Sequence, residues 1–171
     1  GDAIRHSETA LALDPGEART HANLGLAYER QGDAGAAVEH YRAALRLGLE
    51  QPGLHRALAA LLVKQGRLGE GIARYREALR REPADPTTVR GLGVALARAG
   101  DLSEAVVHLR EAVRLRPESS GARYDLGVAL DQLGQADEAE ARYREALRID
   151  PDDAMALGNL GMLLERCGRP V

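Results

Sequence analysis

SGARYDLGVALDQLGQADEAEARYREALRIDPDD, residues 120–153, is one complete copy of a unit that recurs every 34 residues along the chain. Counting back by 34 from Leu126 reaches Leu92, Leu58 and Leu24, and counting forward reaches Leu160. The same step carries Gly134 to Gly100, Gly66, Gly32 and Gly168, and Ala146 to Ala112, Ala78, Ala44 and Ala10. No insertion or deletion interrupts the register. A fixed period of this length marks a supersecondary unit that cannot bury its apolar face alone and stacks on its neighbours to close a continuous core.

Each unit reads as two amphipathic helices divided by the recurring glycine. In unit 18–51, helix A spans about 18–31 and helix B about 34–48, with boundaries good to roughly two to four residues. Leu24, Gly25 and Tyr28 face Ala37, Tyr41, Ala44 and Leu45. Gly25 lets the partner backbone come near, at a helix-propensity cost of ~1 kcal/mol relative to Ala. Units 52–85, 86–119 and 120–153 repeat the pattern, the last two through Leu92, Gly93 and Leu109 and through Leu126, Gly127 and Tyr143. Asp85 before Pro86 predicts an N-cap and first-turn pair, and Asp101 with Glu104 predicts a capping box for the following helix. Residues 1–17 match helix B alone. Residues 154–171 match helix A alone and close on Arg169, Pro170 and Val171.

Composition bounds the chemistry. Phe and Trp are absent and only five Tyr are present among 171 residues, so Ala, Leu, Val and Gly must build the core at close helix separations. The formal net charge of -3 gives no global attraction to nucleic acid, and the few aromatics are taken by packing, so no nucleic-acid partner is expected. Cys167 is the single cysteine, which rules out an intrachain disulfide and a cysteine zinc cluster. No stretch approaches the ~18 apolar residues of a membrane span. Lys64 is the only lysine among many arginines, the coding bias of a GC-rich genome, and the expected setting is a bacterial cytoplasm.

The recurring positions resemble the tetratricopeptide repeat. They appear as Leu24-Gly25, Tyr28, Gly32, Ala37, Tyr41 and Ala44, and again as Leu126-Gly127, Gly134, Ala139, Tyr143, Ala146 and Pro151. The usual Trp is replaced by His21, His55, Val89, Arg123 and Leu157, and the closing Pro by Leu49 in one unit. The resemblance covers residues 1–171. It implies an all-α, right-handed superhelical solenoid of antiparallel helix pairs, with four full repeats plus a half repeat at each end. It also implies that the A helices line a concave face that binds extended peptides or partner helices.

On that face the resemblance places Asn23, Arg30, Arg56, Lys64, Arg90, Arg98, Tyr124, Asp125 and Asn159. In the two central units these positions hold Arg56, Lys64, Arg90 and Arg98 and include no acid, with small Ala57, Ala60, Gly91 and Ala97 among them, so a locally basic trough for an acidic segment is expected. Asp125 and Asp131 are expected to reverse the sign in the next unit. The carboxylate clamp of chaperone-binding relatives is not matched, since Ala60 and Gly91 stand where asparagines are needed. The asparagine ladder of O-linked N-acetylglucosamine transferases is kept only at Asn23 and Asn159.

The leading expectation is a protein-protein interaction scaffold binding an acidic extended or helical segment. One alternative is the substrate-recruiting arm of a larger enzyme such as a glycosyltransferase. Another is self-assembly into a homo-oligomer through terminal half repeats, with Ile4, Leu11, Leu160 and Leu164 as end-to-end contacts. Catalysis, cofactor binding and metal binding are not expected within these residues. His6, His40 and His108 recur a helix pair apart, too far for a shared ~2 Å metal shell. GLGVAL at 91–96 lies inside a helix and lacks the third glycine of a dinucleotide loop. Asp150, Asp152 and Asp153 read as helix-end residues.

Overall fold

A computed structural model of the chain describes residues 2–169. Pro170 and Val171, which close the sequence pattern, lie outside the described residues. The described residues form α1 (Asp2–Leu13), α2 (Ala18–Gln31), α3 (Ala34–Arg46), α4 (Pro52–Lys64), α5 (Leu68–Arg81), α6 (Pro86–Ala99), α7 (Leu102–Leu115), α8 (Ser120–Gln132), α9 (Ala136–Ile149) and α10 (Ala154–Arg166). No strand occurs among them, and no helix is long and apolar enough to cross a membrane. The helices fall into two compact units, Gly1–Glu82 with α1–α5 and Pro83–Val171 with α6–α10.

The first helix of each pair is mostly started by a side chain. Glu17 accepts from the Thr20 amide at 2.6 Å, Asp85 from Thr88 at 3.0 Å, Ser119 from Ala122 at 3.2 Å and Asp153 from Ala156 at 3.1 Å, each satisfying an orphan first-turn donor. The predicted capping box at Asp101 does not form: its side chain makes no cap hydrogen bond. Its backbone curls to ψ 58, against ψ 108 at the capping Asp85, and this turns the carboxylate away from the first-turn amides. The turn before it is closed by main chain instead. The Gly100 amide donates to the Ala97 carbonyl at 3.1 Å and the Asp101 amide to the Leu96 carbonyl at 3.0 Å. That Schellman-type closure needs the left-handed φ of 91° at Gly100, which glycine adopts without a Cβ penalty.

In the first unit, α1 packs on α2, α2 on α3, α3 on α4 and α4 on α5. Its core joins Ala37, Val38, Tyr41 and Ala44 of α3 to Leu54, Leu58, Leu61 and Leu62 of α4. In the second unit, α6 pairs with α7, α8 with α9, and α7 and α10 pack along α8 and α9. There Val106 and Leu109 meet Leu126, Ala129, Leu130, Ala139, Tyr143 and Leu163.

The helix-A glycines Gly25, Gly93 and Gly127 mark close approaches in the α2–α3, α6–α7 and α8–α9 pairs, whereas in α4–α5 Ala59 holds that place and the close glycine is Gly71 of α5, against Val63. A Cβ on Gly127 would stand 2.7 Å from the Tyr143 ring, and one on Gly93 2.7 Å from Leu109. The core therefore gets its density from an aromatic or Leu knob seated on a glycine, which lets a chain without Phe or Trp pack closely.

Candidate functional site

In the second unit, α6 and α8 present their exposed faces side by side. Between them lies a depression of about 140 Å³ lined by Val94, Ala97 and Arg98 of α6, by Tyr124, Asp125, Val128 and Gln132 of α8, and by Leu109 of α7. Its floor is apolar because Leu109 and the flanking valines belong to the packed interior. Its rim is polar.

The charges on this rim are not distributed as the sequence suggests. Arg90, expected among the cations without an acid, donates from Nε to Asp125 at 2.6 Å. Arg90 also lies over Gly121, where a Cβ would come within 2.9 Å of the guanidinium. Asp131 is paired with Arg166. The two aspartates therefore do not reverse the sign of the face, since each is neutralised by an arginine from a neighbouring helix of its own unit. Burial pushes the Asp125 carboxyl up, and the Arg90 charge opposes that shift. Arg98 has no ion-pair partner among the described residues and is exposed.

Tyr124 and Asn159 are brought together as well. The Asn159 side-chain amide donates to the Tyr124 hydroxyl at 3.2 Å, and the Tyr124 ring lies 6.1 Å from that of Tyr143. Burial first, then Asp125, raises the Tyr124 phenol. Burial also pushes the Tyr143 phenol up to about 12. Arg90–Asp125, Tyr124–Asn159 and Asp131–Arg166 are each separated by 35 residues, one more than the repeat. Each pair therefore joins successive A helices one position out of the repeat register, which stepping by 34 along the sequence does not reveal.

The first unit carries a second depression, of about 280 Å³, lined by Glu29, Gly32, Ala34, Ala60, Leu61 and Lys64. Lys64 is exposed, while Glu29 accepts from the Tyr41 hydroxyl at 2.6 Å. Arg30 and Asn23 are exposed on α2, and Arg56 is half-buried on α4. The Arg56 charge lowers the Tyr75 phenol, though burial outweighs it and leaves that group raised.

Of the residues expected to meet a second copy, Ile4 is 8% exposed and Leu164 2% exposed. Packing of α1 on α2, and of α10 on α8 and α9, already covers them. Leu11 and Leu160 are half-buried. The large exposed apolar side chains of α10 are instead Met155, Leu157 and Met162.

His55 takes the place of the usual Trp and is 1% exposed. Its Nε2 lies 3.0 Å from Glu50, and its Nδ1 has no hydrogen-bond partner among the described residues. Ligand atoms of Glu50, His55 and Glu77 lie within 4.8 Å of one another, a donor set drawn from a loop and two helices that no local motif announces. Arg81 pairs with both carboxylates, so a guanidinium already supplies the cation. His40 stacks on Tyr28 at 5.4 Å, and its Nδ1 lies 3.0 Å from that of His21.

Two family models described as tetratricopeptide repeat match the chain, one over residues 96–163 and the other over residues 1–52 and 56–120. No curated protein matches it. Among solved structures, the chain is similar to YrrB, described as a TPR protein with an unusual peptide-binding site, at 25% identity and a TM-score of 0.86 over 91% of this chain and 80% of that one. It is also similar in fold to MamA, at 20% identity and a TM-score of 0.81 over 88% of each chain. MamA 41-end from Desulfovibrio magneticus RS-1 gives 20% identity and a TM-score of 0.83 over 88% of this chain and 85% of that one. The 34-residue register, the helix pairs and the matched family models together place the protein: the chain belongs to the tetratricopeptide repeat family.

Proposed function

We propose that this chain, a protein-interaction scaffold by family, binds an extended acidic peptide segment on the exposed faces of its A helices. The observation that carries the reading is the charge balance around the α6–α8 depression. Asp125 and Asp131 are each held by an arginine, which leaves Arg98 as the uncompensated charge on the rim of an apolar-floored recess. A cation beside a low-dielectric wall attracts a carboxylate more strongly than one in open water. Lys64 on the rim of the first unit's depression supplies the same sign there. YrrB, with its peptide-binding site, lends the mode of binding by similarity.

The test is fluorescence anisotropy with a labelled Glu-rich peptide at several salt concentrations. Affinity is expected to fall as salt rises, by screening. Arg98→Glu and Lys64→Glu should each weaken binding several-fold, and Asp125→Asn should strengthen it by releasing Arg90. Identical affinities across wild type and these variants would overturn the reading.

A further inference from the structure

We infer that the α6–α8 depression is an anchor pocket for one Leu-, Ile- or Phe-sized side chain of the bound peptide, with an acidic residue two positions away held by Arg98. This rests on the peptide-binding reading above and adds the residue that the site selects.

The size fits a single side chain. The recess holds about 140 Å³. An apolar cavity of ~150 Å³ accepts benzene, so a phenyl or branched aliphatic group is the natural occupant. One small residue keeps the wall of this recess apolar beside Arg98. Stepping by 34 from Ala97 reaches Val63, Glu29, Asp131 and Glu165, all larger and three of them acidic. The walls provided by Val94, Val128 and Leu109 offer a methyl-lined surface with no hydrogen-bonding atom in their side chains.

The rim states what flanks the anchor. In an extended peptide, side chains alternate, and residues two apart point the same way about 6.6–7 Å from each other. Arg98 and the apolar floor border the same recess, so a side chain two positions from the anchor falls to the guanidinium. Asp125 does not repel an acid there, because its carboxylate is bound by Arg90. Gln132, exposed at the other side of the rim with no side-chain partner among the described residues, offers both a donor and an acceptor to peptide main chain.

The experiment uses three labelled nine-residue peptides and the full chain. One has a central Leu with Glu two positions to either side in a Ser background, the second replaces Leu with Ser, and the third keeps Leu and replaces Glu with Gln. The Leu-centred acidic peptide is expected to bind at least tenfold more tightly than the Ser-centred one. Ala97→Leu, which fills the pocket from within, should abolish that preference while leaving the helical circular dichroism and melting temperature unchanged. Should Ala97→Leu alter melting, Val128→Leu fills the same recess and is expected to give the same loss. Equal binding of the Leu- and Ser-centred peptides to wild type would overturn the anchor and leave the acidic reading standing. Equal binding of the Glu and Gln peptides, with the Leu preference intact, would remove Arg98's role and with it the proposed pairing of anchor and acid. Failure of all three peptides to bind would overturn both readings together.

Discussion

His55 is the residue at which acidity should reach the fold. The imidazole is 1% exposed, with one nitrogen unpartnered, and burial pushes its pKa down while the Glu50 hydrogen bond opposes that shift. In the unfolded chain a histidine titrates near ~6.5. Below that pH the unfolded state takes up a proton that the folded state resists, so stability present above ~6.5 is lost as pH falls through the lower folded value. The urea midpoint of wild type should therefore drop between about pH 7.5 and pH 5, more than that of His55→Leu. Charges that do not touch His55, His40 included, cancel in the comparison, and Glu50, which His55 holds below the usual carboxylate range, stays ionised across this window. A parallel pH dependence in the two would refute the assignment. His55 could be recognised in the sequence as standing in for a packing aromatic, but the orphaned nitrogen and the Glu50 partner could not, because both depend on how the loop before α4 folds back.

At the scale of the helix, the same ruler position gives opposite predictions in two places. Gly127 of α8 is covered by the Tyr143 ring, whereas a Cβ on Gly161 of α10 meets nothing within 4 Å. Gly127→Ala forces the ring to shift and is expected to destabilise by about 1–2 kcal/mol, an overpacking cost partly offset by alanine's better helix propensity. Gly161→Ala keeps only the propensity gain and should stabilise by up to ~1 kcal/mol. Chemical denaturation of the two single variants checks the pair, and a stabilising Gly127→Ala would show that this glycine is not a packing requirement. Helix order and register were legible because periodicity and glycine spacing record them directly. The start of α7 was less so, since Asp101 and Glu104 have capping-box spacing while the backbone there curls away from it. The charges were least legible: Arg90 reads as free until its partner, offset by one residue from the repeat, is seen beside it.

Over the whole molecule, the two units each carry their own apolar cluster, one centred on α3 and α4 and the other on α7, α8 and α9. Repeat arrays sum local and nearest-neighbour terms, so a piece with a complete interface of its own keeps its structure. A fragment spanning residues 83–171 is expected to remain helical by circular dichroism and to melt cooperatively at a temperature below that of the full chain. A fragment without a cooperative transition would mean that the second unit's cluster is too small to hold alone.

The turn at Gly100 is closed by main-chain groups, so α6 demands of the helix after it only that it arrive in step. Asp101 could be joined directly to Ala136, removing 34 residues, and Tyr143 would then arrive where Leu109 stood against Gly93. Size in this protein is quantised: the chain shortens or lengthens by whole rungs, and an insertion of any other length must be swallowed by a turn or throw every later knob off its glycine.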